Sequence, residues 1–309
     1  MVTKFKKAAQ HWAAFLVLQD MTILENDQIR VSVRSKGAEL TSIFHKASGI
    51  EHLWQADPSV WAWHAPNLFP VVGGCLNNQL LVDGKTYPIE RHGFARQSTF
   101  ETTESTATHA VFSLRSSEAT RVHFPYEFEF QIIYELSGPT LTVTYRVLNE
   151  DEKTVFFSVG AHPAFAVPFG PDEVYEDYYI EFEKAEPLQT HMLSAAGYFT
   201  GETRPVATDE NRLPLTKHLF DQDALVFKRL RSHRAAIRSR NHDHAVTVDY
   251  PAFPYLGVWA KPGAPFVCIE PWLGCADSEG DQKPIERKEA IQHVEPGRVF
   301  NASFTITVS

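Results

Sequence analysis

From Thr22 to the C-terminus, apolar and polar residues alternate with a period of two in short runs, and Gly, Pro, Asn or Asp breaks the runs about every ten residues. Successive side chains of an extended chain point to opposite faces, so this pattern predicts strands with one face buried. The segments read this way are 30–34, 38–44, 79–82, 108–115, 127–135, 140–149, 152–161, 178–182, 235–238, 245–250, 255–259, 266–271 and 299–308. Asp83-Gly84, between two extended runs, predicts a tight hairpin, because Gly tolerates the positive φ such a turn needs. Only 278–292 reads as a helical interval, and Pro284 allows at most a short helix after it. No internal repeat, low-complexity tract or Gly/Ser linker interrupts the strands, so residues 21–309 are read as one domain, preceded by an N-terminal extension, 1–20, of unassigned role. A single sheet of so many strands would leave long edges and a wet face, so the expected fold class is all-β, a large antiparallel β-sandwich.

Composition narrows the partners. The 309 residues are 43% hydrophobic and 12% aromatic, enough for a sizeable core, and 38 acidic against 29 basic residues give a net charge of −9. With no long basic run to offset that charge, nucleic acid is excluded as an expected partner. The three cysteines, Cys75, Cys268 and Cys275, are too few and too irregularly spaced for a disulfide framework, which points to a reducing, cytoplasmic setting. No apolar run approaches the ~18–20 residues of a membrane span. Lys4, Lys6 and Lys7 precede an apolar stretch from Trp12 to Leu18, but no small-x-small cleavage site follows, so this segment is read as an extension and not as a signal peptide.

Candidate chemistry lies where titratable groups interrupt apolar runs. Pro66-Asn67-Leu68-Phe69-Pro70 reads as a buried strand end running into Gly73-Gly74. In His92-Gly93-Phe94-Ala95-Arg96 an imidazole and a guanidinium flank small and aromatic residues, a pairing suited to an anionic or hydroxyl-rich ligand. His162 ends a strand just before Pro163, which cannot continue the ladder. Glu270 sits inside the apolar run Val267-Cys268-Ile269-Glu270-Pro271-Trp272, where an ionised carboxylate is costly without a partner. Two imidazoles and one carboxylate could form a proton-transfer site. The same trio could ligate zinc or iron, but it lacks HxxxH or HExxH spacing, and no metal is expected. A serine hydrolase is disfavoured by the absence of a GxSxG elbow, and glycoside cleavage would need a second acid, such as Asp223 or Asp249, near Glu270.

In these motifs, taken in order, together with the Asp83-Gly84-Lys85-Thr86-Tyr87 hairpin, the chain resembles the aldose 1-epimerase (galactose mutarotase) family, in its shorter bacterial LacX-like branch. The resemblance runs through nearly the whole chain from Met21. It implies a supersandwich of two large antiparallel sheets, with an open cleft on one of them, that interconverts the α and β anomers of a free aldose without cofactor or metal. It implies Glu270 as the general base on the anomeric hydroxyl, His162 as the general acid on the ring oxygen and His92 as a supporting hydrogen bond. On that reading Glu270 is ionised and His162 protonated, so the carboxylate gives the acidic limb of a pH profile and the imidazole the basic limb. Asp223 falls where the family carries a sugar-binding aspartate. Gly74 stands where relatives commonly have Arg, so Arg96 or Asn78 is expected to supply the missing contact, and Trp259 and Trp272 offer faces for stacking on a sugar. The alternatives are a carbohydrate-binding or regulatory module without turnover and a hexose-6-phosphate 1-epimerase, for which Arg91 and Arg96 are little basic equipment. The sequence sets no oligomeric state.

Overall fold

A computed structural model describes residues 20–309; the expected extension, Asp20 apart, lies outside the described residues. The largest sheet has nine antiparallel strands, in the order Arg212–Pro214, Tyr178–Phe182, Arg234–Ser239, Ala245–Asp249, Val299–Val308, Thr140–Asn149, Phe128–Ser137, His109–Arg115 and Glu101–Ser105. Thr140–Asn149 alternates strictly between buried and half-buried positions, the pattern of a strand with one covered face. A six-stranded sheet runs Leu225–Lys228, Tyr255–Trp259, Phe266–Leu273, Val159–Ala161 and Asn67–Leu68, with Ala164–Ala166 as a further partner of Phe266–Leu273. Phe266–Leu273 has neighbours on both edges and is buried along its whole length, which is why it reads as an apolar run and not as an alternation. Met21–Glu25, Ile29–Arg34, Glu39–His45 and Ile50–Glu51 form a four-stranded sheet. Among the described residues no helix is long and apolar enough to cross a membrane. The three cysteines are buried free thiols, as their spacing implied.

Aromatic and polar contacts join the two large sheets. Phe69, just after Asn67–Leu68, stacks on Phe130 of the nine-stranded sheet with ring centroids 4.3 Å apart. Buried Asn67 donates to the carbonyls of Gly37 and Ala38, each at 3.0 Å, and accepts from the Tyr145 hydroxyl at 2.8 Å. The Tyr134 hydroxyl reaches the same Ala38 carbonyl at 2.8 Å, so that acceptor is doubly served. Asn67→Ala would strand the Gly37 carbonyl and the Tyr145 hydroxyl in the interior. At ~1–3 kcal/mol for each unsatisfied group, a loss of about 3 kcal/mol is expected, read as a lower urea midpoint at unchanged slope.

The Asp83-Gly84 hairpin forms as expected: Val82 pairs with Lys85, and Asp83 and Gly84 both have positive φ, at 49° and 75°. Pro284 precedes a single 3₁₀ turn, Ile285–Arg287. The expected strand 152–161 is instead two strands broken at Ser158. Val155–Phe157 pairs with Gln292–Val294, whereas Val159–Ala161 pairs with Phe266–Leu273, and the Ser158 amide turns to the Pro70 carbonyl between them. An unbroken apolar pattern therefore hides a change of sheet. Two further strands, Glu101–Ser105 and Phe199–Val206, were invisible to alternation because nearly all their residues are exposed.

Candidate active site

Strand register places the central pair. Gly160 lies opposite Trp272 and Ala164 opposite Cys268, so the same antiparallel register sets His162 opposite Glu270. Pro163 interrupts the ladder there, and the two side chains face each other with His162 Nε2 3.3 Å from Glu270 Oε2. The two atoms are not aligned as a hydrogen bond, and Glu270 Oε2 and His162 Nδ1 have no hydrogen-bond partner in the protein. Burial drives the Glu270 carboxyl well above the usual carboxylate range, and the nearby Asp223 charge adds to the shift. Burial also lowers His162 to about 3, with a further push from Arg96. Burial thus works against the charged form of each group and favours the proton on the carboxyl. The direction of both shifts runs against the ionised Glu270 and protonated His162 expected from the sequence.

The pair opens into a cavity of about 260 Å³ that also collects His92, Arg96, Asp223, Trp259 and Trp272. His92 follows Arg91 in a left-handed backbone conformation, φ 67°, and its Nδ1 accepts from the Gly73 amide at 3.1 Å. That bond places the ring proton on Nε2, and burial together with His162 and Arg96 holds His92 well below the ordinary histidine range. It is a neutral donor set edge-on to His162, with ring centroids 5.7 Å apart. Arg96 lies over Trp63 and donates to the Arg91 carbonyl at 2.9 Å, leaving its Nε unpaired in the protein. Trp272 lies flat across two neighbouring strands, because a Cβ at Gly160 or Gly257 would stand 2.7 or 2.5 Å from its ring. Its indole N–H has no protein partner either. Four residues that carry a buried polar atom without a protein partner, His162, Glu270, Arg96 and Trp272, thus line one concave space.

Of the residues expected from the sequence, Asn78 does not reach the cavity. It is exposed in the Leu76–Asn78 turn, where its backbone pairs with Cys75 and Ile89, so it cannot fill the space left by Gly74. Asp249 is also remote, ion-paired to Arg234 at 2.6 Å on the nine-stranded sheet, which leaves Asp223 as the second acid beside Glu270. Sequence reasoning missed Trp61, whose indole stacks on His162 with centroids 5.1 Å apart. Three tryptophans at 54, 61 and 63 are a cluster that could have drawn attention. It also missed the hairpin of Leu188–Leu193 and Phe199–Val206, which brings Leu193, Gly197 and Phe199 to the cavity.

Among the described residues, the groups able to hold a metal are His162, Cys268 and Glu270, whose donor atoms lie within 4.8 Å of one another. Cys268 takes the place that the sequence reading gave to His92. Burial and the neighbouring Glu270 push its thiol well above the usual range, so ligation would require loss of a strongly held proton.

Two packed antiparallel sheets, with an imidazole and a carboxylate facing each other in a cleft of the smaller, define a galactose mutarotase-like protein. The fold superposes with a TM-score of 0.89 on a galactose mutarotase related enzyme from Lactobacillus acidophilus, at 33% identity over 94% of this chain and 97% of that one. A galactose mutarotase-like protein from Lactobacillus casei gives 0.88 and 31%, covering 94% and 100%. The chain belongs to the aldose 1-epimerase family, whose sequence pattern, described as Aldose 1-epimerase, matches residues 20–287. It is 34% identical to Protein LacX of Lactococcus lactis subsp. lactis, over 93% of this chain and 99% of the relative.

Proposed function

We propose that the protein is an aldose 1-epimerase that interconverts the anomers of a free aldose by acid–base ring opening and closure. The observation that carries this reading is the buried His162–Glu270 pair, 3.3 Å apart at one end of a polar, tryptophan-lined cavity. Glu270 takes the proton of the anomeric hydroxyl while His162 protonates the ring oxygen, the C1–O5 bond breaks and the aldehyde forms. Rotation about C1–C2 exposes the other carbonyl face. The ring oxygen then attacks that face and returns its proton to His162, while Glu270 returns its proton to O1, so the site ends as it began. His92 donates from Nε2 to oxygen in the same region and steadies the developing charge.

These roles require the pair's single proton, which burial favours on the carboxyl, to stand on the imidazole when sugar is bound. Both arrangements hold the same number of protons, so the transfer needs none from solvent. Polarimetry of freshly dissolved α-D-glucose and α-D-galactose tests the proposal. Acceleration above the spontaneous rate is expected, and a module that only binds sugar leaves that rate unchanged. The reaction needs only proton transfers, so dialysis against a strong chelator is expected to leave the rate intact. Loss of activity restored by zinc would assign the His162, Cys268 and Glu270 donors to a catalytic metal instead.

A further inference from the structure

We propose that Arg91, held in a slot between two glycines, is a specificity-determining residue that reads the oxygen substituents of the sugar away from its anomeric carbon. This rests on the epimerase reading. Arg91 lines the cavity, and its Nη2 donates to the Ala196 carbonyl at 2.7 Å in the turn of the Leu188–Val206 hairpin. Gly197, the next residue, has φ +78°, and a Cβ there would stand 2.2 Å from the same nitrogen. A Cβ at Gly74 would stand 3.9 Å from Arg91 Nε, farther than the Tyr198 ring at 3.2 Å. Any larger residue at position 197 would expel the guanidinium, and a long side chain at position 74 would compete for its space.

The slot is rigid. The Gly197 amide closes its turn on the Ser194 carbonyl at 2.7 Å, and the Tyr198 hydroxyl ties the hairpin to the Cys75 carbonyl at 3.2 Å. Among the described residues Arg91 forms no ion pair, so one edge of the fork is fixed by Ala196 and its charge is left for a ligand. A guanidinium so placed donates in a plane to vicinal hydroxyls or to phosphate oxygens. Its polar contact is with the hairpin and not with the reacting pair, so its loss should appear chiefly in KM.

The test compares the parent with Arg91→Ala and with a double variant, Arg91→Ala with Gly74→Arg, which moves the guanidinium to the other wall of the slot. The position 74 side chain needs only the Tyr198 ring, 3.2 Å from a Cβ there, to yield slightly. In Arg91→Ala, KM is expected to rise about 10–100-fold, the scale of one hydrogen bond to a charged group, with kcat nearly unchanged and the thermal midpoint kept. The double variant is expected to recover most of that loss. Glucose and glucose 6-phosphate are both assayed: a rise for both sugars identifies hydroxyl contacts, and a rise confined to the phosphate ester identifies phosphate contacts. An unchanged KM overturns the proposal, as does a fall in kcat alone. A double variant that is folded like the parent and no better than Arg91→Ala also overturns it, because the hairpin latch would then account for the loss. Calorimetry with 1,5-anhydro-D-glucitol, which has no anomeric hydroxyl to react, reads the same Arg91 effect on affinity. If the parent binds this probe through Arg91 but does not accelerate mutarotation, the epimerase reading fails and the subsite stands.

Discussion

Glu270→Gln is expected to lower kcat by about 10²–10⁴-fold, the usual scale for a general acid–base group. The amide keeps the shape of the side chain and can still hydrogen-bond, but it cannot accept the anomeric proton. Folding should survive, because Glu270 is fully buried in a strand paired on both edges and burial already favours its uncharged form. Replacing a neutral carboxyl by a neutral amide therefore removes no ion pair on which the sheet depends. Polarimetry decides the outcome, with circular dichroism to check the fold. Activity within a few-fold of the parent would move the base to Asp223, the other carboxylate lining the cavity.

His162→Asn is expected to cost a similar factor and, with Glu270→Gln, to dissect the pH profile. In the parent, kcat/KM should follow a broad bell with its plateau through neutrality. The acidic limb arises when a second proton enters the pair, and it falls well below the ordinary histidine range because burial holds His162 at about 3. The alkaline limb arises when the single shared proton is lost, and burial with the Asp223 charge places it well above the ordinary carboxylate range. Both limbs belong to the coupled pair. The sign is opposite to that expected from the sequence: Glu270→Gln should lose the alkaline limb, and His162→Asn the acidic one. Measured kcat/KM from pH 2 to 10 checks this, and a bell unchanged in both variants would place the titrating groups elsewhere.

How much was legible depended on whether burial left a mark on residue order. Strands with one covered face, such as Thr140–Asn149, announce themselves by alternation, and a carboxylate in an apolar run, Glu270, stands out because it is costly there. The Phe199–Val206 strand carries no such mark, since nearly all its residues meet water and its place is set by pairing with Leu188–Leu193. Arg91 was read only as one of two basic residues, because the slot that orients it is assembled from glycines at positions 74 and 197, far apart in the chain. Asn78, adjacent in sequence to the cavity wall, turns outward with the backbone of its own turn.

The sequence by itself determined the antiparallel β architecture, the Asp83-Gly84 hairpin and the residue types available for proton transfer, because period, turn chemistry and the cost of burying charge are local properties. Only the tertiary structure decided that His162 faces Glu270, that Asp223 and not Asp249 shares the cavity, and that burial pushes the Glu270 carboxyl towards its neutral form. Those outcomes depend on register between distant strands and on how completely water is excluded, and neither quantity exists until the sheets have packed.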